Sequence, residues 1–78
     1  MIEVDVWIVG ALSKPTGESA FRTECEEGCP VRALLEQIGY RPMHIPYIVA
    51  AVDGEVRRHS YPLTDGAAVV LSITVGGG

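Results

Sequence analysis

The sequence is short of most residues from which a self-contained active site or a disulfide scaffold is built. It has 2 cysteines, 2 histidines, 1 tryptophan and 1 phenylalanine, and its only lysine is Lys14. Cys25 and Cys29, in CEEGC, are too few for the disulfide framework of a small secreted domain. A zinc or iron–sulfur site would need about four ligands. The only other soft candidates, His44 and His59, stand far along the chain without metal spacing. Both thiols therefore read as structural or incidental, Cys25 on a strand and Cys29 at a helix entry, and no metal is expected.

Basic charge is scarce as well. Six Lys and Arg stand against ten Asp and Glu, for a net charge of −4 and a pI near 4.9. Nucleic acid calls for a basic footprint, and no basic run here exceeds Arg57-Arg58, so no nucleic-acid partner is expected. The longest apolar run, Ile45 to Val52, is far too short to cross a bilayer. No charged segment with a hydrophobic core follows Met1, so the expectation is a cytoplasmic protein without a membrane partner.

What remains is a chain of 78 residues, 47% hydrophobic, enough for one small core. IEVDVWIV alternates, with Ile2, Val4, Val6 and Ile8 on one face and Glu3, Asp5 and Trp7 on the other, the period of a half-buried strand. A long turn-rich loop leads to a second alternation in AFRTECEE, and the two strands make a loose hairpin. In GCPVRALLEQIGY the period changes. Val31, Leu34, Leu35 and Ile38 form a helical stripe, with Pro30 expected in the first turn and Gly39 at the stop.

YIVAAV is a continuous apolar run, expected to be a strand inside the sheet. Asp53-Gly54 returns it as a tight hairpin through EVRRH. After the turn at Asp65-Gly66, AAVVLSITV supplies a last strand. The order β-β-α-β-β-β, with a short penultimate strand, predicts an α+β, β-grasp domain: a mixed four- to five-stranded sheet wrapped on one helix. The first and last strands should lie side by side, which makes the last one central. Residues 1–75 form the expected domain and 76–78 a flexible glycine tail.

Catalysis finds little support in these residues. Neither histidine has a neighbouring nucleophile, and the serines lack an elbow or partner spacing. Glu24, Glu26 and Glu27 look like a solvated strand end. The tail reads differently. A C-terminal carboxylate has a pKa of about 3.5, so that of Gly78 would be ionised at pH 7 and able to attack the α-phosphorus of ATP. Glycines without Cβ atoms would fit a channel little wider than a backbone, if another enzyme must reach that carboxylate. A frayed, inert end is the bland alternative.

Two stretches resemble the small β-grasp sulfur carriers of the ubiquitin-like superfamily. VGALSKPTGESAFRTECEEGCPVRALLEQIG is similar to their strand–turn–strand entry into a V-x-x-L-L helix. VAAVDGEVRRHSYPLTDGAAVVLSITVGGG is similar to their V-D-G-E hairpin, P-L-x-D-G turn, last strand and terminal Gly-Gly. The long first loop resembles the small subunit of molybdopterin synthase, the branch placed first. The VGGG ending resembles the thiamine-thiazole sulfur carriers. Ala67-Ala68 and Thr74 depart from the usual acidic residue and proline, and both pathways stay open.

The resemblance implies a carrier protein, not an enzyme, with no cofactor of its own. An E1-like adenylyltransferase, using ATP and Mg²⁺, would adenylate Gly78, with Gly76 and Gly77 lying in its channel. A sulfur donor (a sulfurtransferase or cysteine desulfurase) would then make a thiocarboxylate, and an acceptor synthase subunit would take the sulfur. The grip for these partners would be the sheet face turned from the helix, at Trp7 and Val70; alternatively, Trp7 is tucked under the long loop. Two other readings remain: a ubiquitin-like protein modifier joined to targets through Gly78, and an interaction domain with an inert tail.

Overall fold

The computed structural model describes residues 1–73. Along the chain lie β1 (Ile2–Ile8), β2 (Ala20–Cys25), α1 (Val31–Ile38), a 3₁₀ turn (Ile45–Tyr47), β3 (Ile48–Val52), β4 (Glu55–Arg57) and β5 (Ala68–Ile73). The five strands form one mixed sheet in the order β2-β1-β5-β3-β4. β5 is central, parallel to β1 on one side and antiparallel to β3 on the other. Two-residue alternation in β1 buries Ile2, Val4, Val6 and Ile8 against the helix stripe Val31, Leu34, Leu35 and Ile38. One core cluster joins them to Ala50, Val52, Leu63, Val69 and Leu71.

The helix has only 8 residues, too few to stand alone, so its stability comes from that buried stripe. Its start is satisfied by the segment before β5: Val31 N–H donates to the Tyr61 carbonyl (3.0 Å) and Arg32 N–H to that of His59 (2.9 Å). Pro30 lies one residue before the helix, extended at φ −71° and ψ 154°, and not in its first turn. There it forms a bridge with Pro62. Gly39 closes the helix at φ 120°, where a Cβ would stand 3.2 Å from that of Pro15, so the stop and the long loop fix one another.

The strands of the second hairpin, β3 and β4, differ from the sequence reading at their ends and in their burial. Tyr47 belongs to the 3₁₀ turn and not to β3, because Pro46 has no N–H for a ladder and favours a helical turn. β3 does lie inside the sheet, yet Val49 and Ala51 face its open side and are only half-buried. β4 ends at Arg57, short of His59. Asp53 and Gly54 both have positive φ (52° and 87°), the two-residue turn that matches strand twist. Residues 74 and 75, expected in the last strand, lie outside the described residues.

The turn before β5 is pinned to β1. Glu3 N–H donates to the Asp65 carboxylate (2.9 Å), and Gly66 N–H donates to the Glu3 carbonyl (2.8 Å). Replacing Asp65 with Ala removes the first of these bonds at an exposed site. We expect a loss of about 1 kcal/mol, roughly 4–8 °C in Tm, measured by urea and thermal unfolding.

Candidate functional site

The helix covers one face of the sheet and leaves the other open. On that open face the strand registers align Ala20 with Trp7, Trp7 with Val70, Val70 with Ala51, and Ala51 with Val56. A single apolar row thus crosses all five strands. Trp7 is 41% and Val56 72% exposed, while Val70 and Ala51 are half-buried between them. Trp7 is therefore open to solvent, not tucked under the loop. One register step away the face turns polar, where Arg22 Nε pairs with Asp5 Oδ1 at 2.8 Å. An apolar centre with a charged rim is the anatomy of a protein-binding patch.

A second concavity lies at the end of β5. Leu12, Tyr40, His44, Tyr47, Ile48 and Ile73 line a groove of about 240 Å³. Tyr40 is held there by its hydroxyl, which donates to the Ser13 carbonyl (2.7 Å), and burial raises its phenol pKa. The groove is below the usual range of small-molecule sites, about 300–1,000 Å³. Its floor is apolar, and His44 is exposed at its rim. His59 is half-buried, with Nε2 2.7 Å from the Ile48 carbonyl. Since a carbonyl only accepts, that nitrogen carries the proton, and the ring acts as a structural donor.

Cys25 and Cys29 are free thiols, the first buried and the second half-buried. Burial, together with the neighbouring Cys25 thiol, pushes the Cys29 thiol from an ordinary 9.0 up to about 12. Cys29 is thus protonated and a poor nucleophile at neutral pH. Because the folded state holds this proton more tightly, its contribution to stability is complete below pH 9 and is lost as pH rises through about 12. At pH 8, iodoacetamide should label Cys29 at least about tenfold more slowly in the folded than in the urea-unfolded protein, as read by mass spectrometry. Among the described residues, no three His, Cys, Asp or Glu side chains are grouped to hold a metal ion.

No protein-family model and no curated protein matches the chain. Solved structures do. A Pyrococcus furiosus protein assigned as molybdopterin converting factor subunit 1 superposes with a TM-score of 0.76 at 23% identity, over 96% of this chain and 100% of its own. Small archaeal modifier protein 1 of Haloferax volcanii gives 0.76 at 15% identity, over 96% and 100%. A Helicobacter pylori complex of subunits 1 and 2 of the molybdopterin-converting factor contains a chain matching at 0.65 and 22% identity, over 99% and 100%. At these identities the likeness is one of fold. The chain has the ubiquitin-like β-grasp fold.

Within this β-grasp, the sequence-predicted grip residues Trp7 and Val70 are register partners on neighbouring strands. Gly76, Gly77 and Gly78 lie outside the described residues. Sequence reasoning missed the rest of the row, Ala20, Ala51 and Val56. Val56 alone carried a signal, as the one apolar residue in EVRR. The small alanines became part of a patch only once pairing set them beside Trp7 and Val70. The groove was missed because Leu12 and Tyr40 come from distant loops, with 27 residues separating the bonded pair Ser13 and Tyr40.

Proposed function

We propose that the chain is a sulfur carrier whose Gly78 carboxylate is the working group. The observation that carries this reading is topological. The central strand β5, held on both sides by β1 and β3, runs in sequence from Ile73 straight into Thr74-Val75-Gly76-Gly77-Gly78. A strand anchored on both edges is a firm base from which to present a terminus.

In the proposed cycle an oxygen of the Gly78 carboxylate attacks the α-phosphorus of ATP, held with Mg²⁺ by an E1-like partner, and pyrophosphate leaves. The terminal sulfur of a donor persulfide then attacks the acyl carbon and AMP leaves; a thiol next attacks the donor's own sulfur in the resulting acyl disulfide, forming a disulfide with the donor and releasing the thiocarboxylate. The domain itself performs no chemistry. It supplies the grip, through Trp7, Val70 and the apolar row around them, for the adenylating enzyme and for the acceptor subunit. The Helicobacter pylori neighbour, solved with subunit 2 of its converting factor, supports an acceptor partner of the molybdopterin kind. That branch is placed before the thiamine-thiazole one.

A second reading is favoured by one finding: the protein called a small archaeal modifier fits as well, at a TM-score of 0.76. In that case the activated Gly78 would pass to an amine on a target protein. Both readings begin with adenylation, so the first test is ATP–pyrophosphate exchange by candidate E1-like enzymes. Exchange that depends on this chain, and on an intact Gly78, supports the proposal. Exchange that the chain does not stimulate with any such enzyme speaks for an inert tail. Recovery of isopeptide-linked adducts, in place of free thiocarboxylate, selects the modifier.

A further inference from the structure

Charge is not spread evenly over this acidic protein. Glu3, Asp5, Glu24, Glu26, Glu27 and Asp65 lie on β1, β2 and their adjoining turns, six of the ten carboxylates. Three of the Lys and Arg residues gather elsewhere, Arg57 and Arg58 at the end of β4 and Arg32 in the first turn of α1, with Glu36, Asp53 and Glu55 the carboxylates on that helix and hairpin. The backbone brings these distant stretches together. Arg32 N–H donates to the His59 carbonyl at 2.9 Å, and Val31 N–H to that of Tyr61 at 3.0 Å. All three arginines are exposed.

Two shallow depressions meet at Ser60. One, of about 430 Å³, is lined by Val56, Arg57, Arg58, Ser60, Tyr61 and Pro62. The other, of about 510 Å³, is lined by Pro30, Arg32, His59 and Ser60. Arg57 is partly ordered: its guanidinium carbon sits 4.7 Å from the centre of the Tyr61 ring, and its Nη2 is 2.8 Å from Glu55. Stacking of this kind holds the planar fork in place and lowers the entropy lost when it binds a carboxylate. The Glu55 partner is 68% exposed, so a bound carboxylate can replace it at little cost.

We infer that the surface formed by Arg32, Arg57, Arg58 and Ser60 docks an extended acidic segment of a partner protein, adjoining the apolar row only at its Val56 end. The two depressions run on from one another, which suits a chain of carboxylates better than one compact anion. A phosphate would draw on free backbone N–H groups at the helix start. Those of Val31 and Arg32 are already taken by the Tyr61 and His59 carbonyls. Nucleic acid would call for a longer basic track than these three arginines supply.

The test is an NMR titration of the ¹⁵N-labelled full chain with a hexaglutamate peptide at low salt. Shifts confined to residues 31–33 and 56–61 are expected. Affinity should fall by about tenfold on raising salt from about 20 to 200 mM, and by a similar factor in Arg57→Glu/Arg58→Glu. Arg41→Glu, a surface change elsewhere, should leave the titration as it was. Arg58→Ala, the milder change, should weaken binding by about threefold. Absence of shifts, equal shifts around Lys14, Arg22 and Arg41, or indifference to the Arg57/Arg58 change would overturn the inference. Tighter binding of inorganic tripolyphosphate at the same amides would overturn it too, in favour of a phosphate site. None of these results depends on adenylation of Gly78.

Discussion

Deleting Gly78 alone should lower E1-dependent adenylation by at least about a hundredfold while leaving unfolding unchanged. The shortened chain still ends in a glycine carboxylate, on Gly77, so the reacting group is chemically the same. What changes is reach. One residue of extended backbone is roughly 3.3–3.6 Å, and a misplacement of about 1 Å at a reacting centre already costs on the order of 10²-fold. Amidation of Gly78 should abolish the reaction outright, since no oxygen nucleophile remains. Gly78→Ala keeps both charge and reach but adds a Cβ where the proposed channel is narrow, and its loss should be smaller than that of the deletion. Among the described residues, every member of the core cluster lies between Ile2 and Leu71, and a terminal glycine has no side chain to add to it, so urea midpoints should agree with wild type within about 0.5 kcal/mol. Adenylation that survives the deletion would remove Gly78 from the mechanism.

The second large effect concerns the base from which the tail departs. Leu71 has no exposed surface and pairs with Ile8 on one side and Ala50 on the other. Leu71→Ala removes branched aliphatic volume at the middle of the sheet, where ladders on both edges limit relaxation. A loss of about 2–5 kcal/mol is expected. Stability of roughly 0.05–0.15 kcal/mol per residue leaves a domain of this size little margin, so a sizeable unfolded fraction should appear at 37 °C. The outward neighbour serves as the contrast. Val70→Ala on the open face should cost under about 1.5 kcal/mol and instead weaken partner binding. Denaturant unfolding of the two variants side by side separates the inner face from the outer one.

Much of this architecture was legible in the sequence because it rests on short-range rules. The alternation in IEVDVWIV, the stripe Val31-Leu34-Leu35-Ile38 and the Asp53-Gly54 turn each act within a few residues, and each appears where its period placed it. The neighbouring positions of β1 and β5 followed from chain handedness, a rule for the whole fold. Long-range backbone pairing was not legible. Pro30 has the φ of a helical first turn, but its bridge to Pro62 draws it into an extended conformation. Nothing local to Tyr61 announces that its carbonyl satisfies the start of α1. The apolar row was visible only as Trp7 and Val70, since Ala20, Ala51 and Val56 join them through register. The basic surface was hidden for the same reason: Arg32 and Arg58 are far apart in sequence and adjacent only through the backbone bonds of His59 and Tyr61.

The charge asymmetry also bears on how partners approach. A cationic enzyme surface would be steered toward the carboxylates of β1 and β2, on the side where Asp5 and Glu3 flank Trp7. An acidic segment would settle at the opposite edge, on Arg57 and Arg58. The carboxylates at one edge and the exposed arginines at the other would help set orientation as well as attraction, and their effect would weaken as salt rises.

The central claim is that the domain is a grip and that its reactivity belongs to the Gly78 carboxylate. Intact-mass spectrometry after incubation with an E1-like enzyme, ATP, Mg²⁺ and a sulfur donor addresses that claim most directly. The account predicts a product in which one oxygen has been exchanged for one sulfur, assigned by fragmentation to Gly78 and absent without ATP. Sulfur found instead on Cys25 or Cys29, or an unchanged mass in the presence of an enzyme that performs ATP–pyrophosphate exchange with this chain, would contradict it.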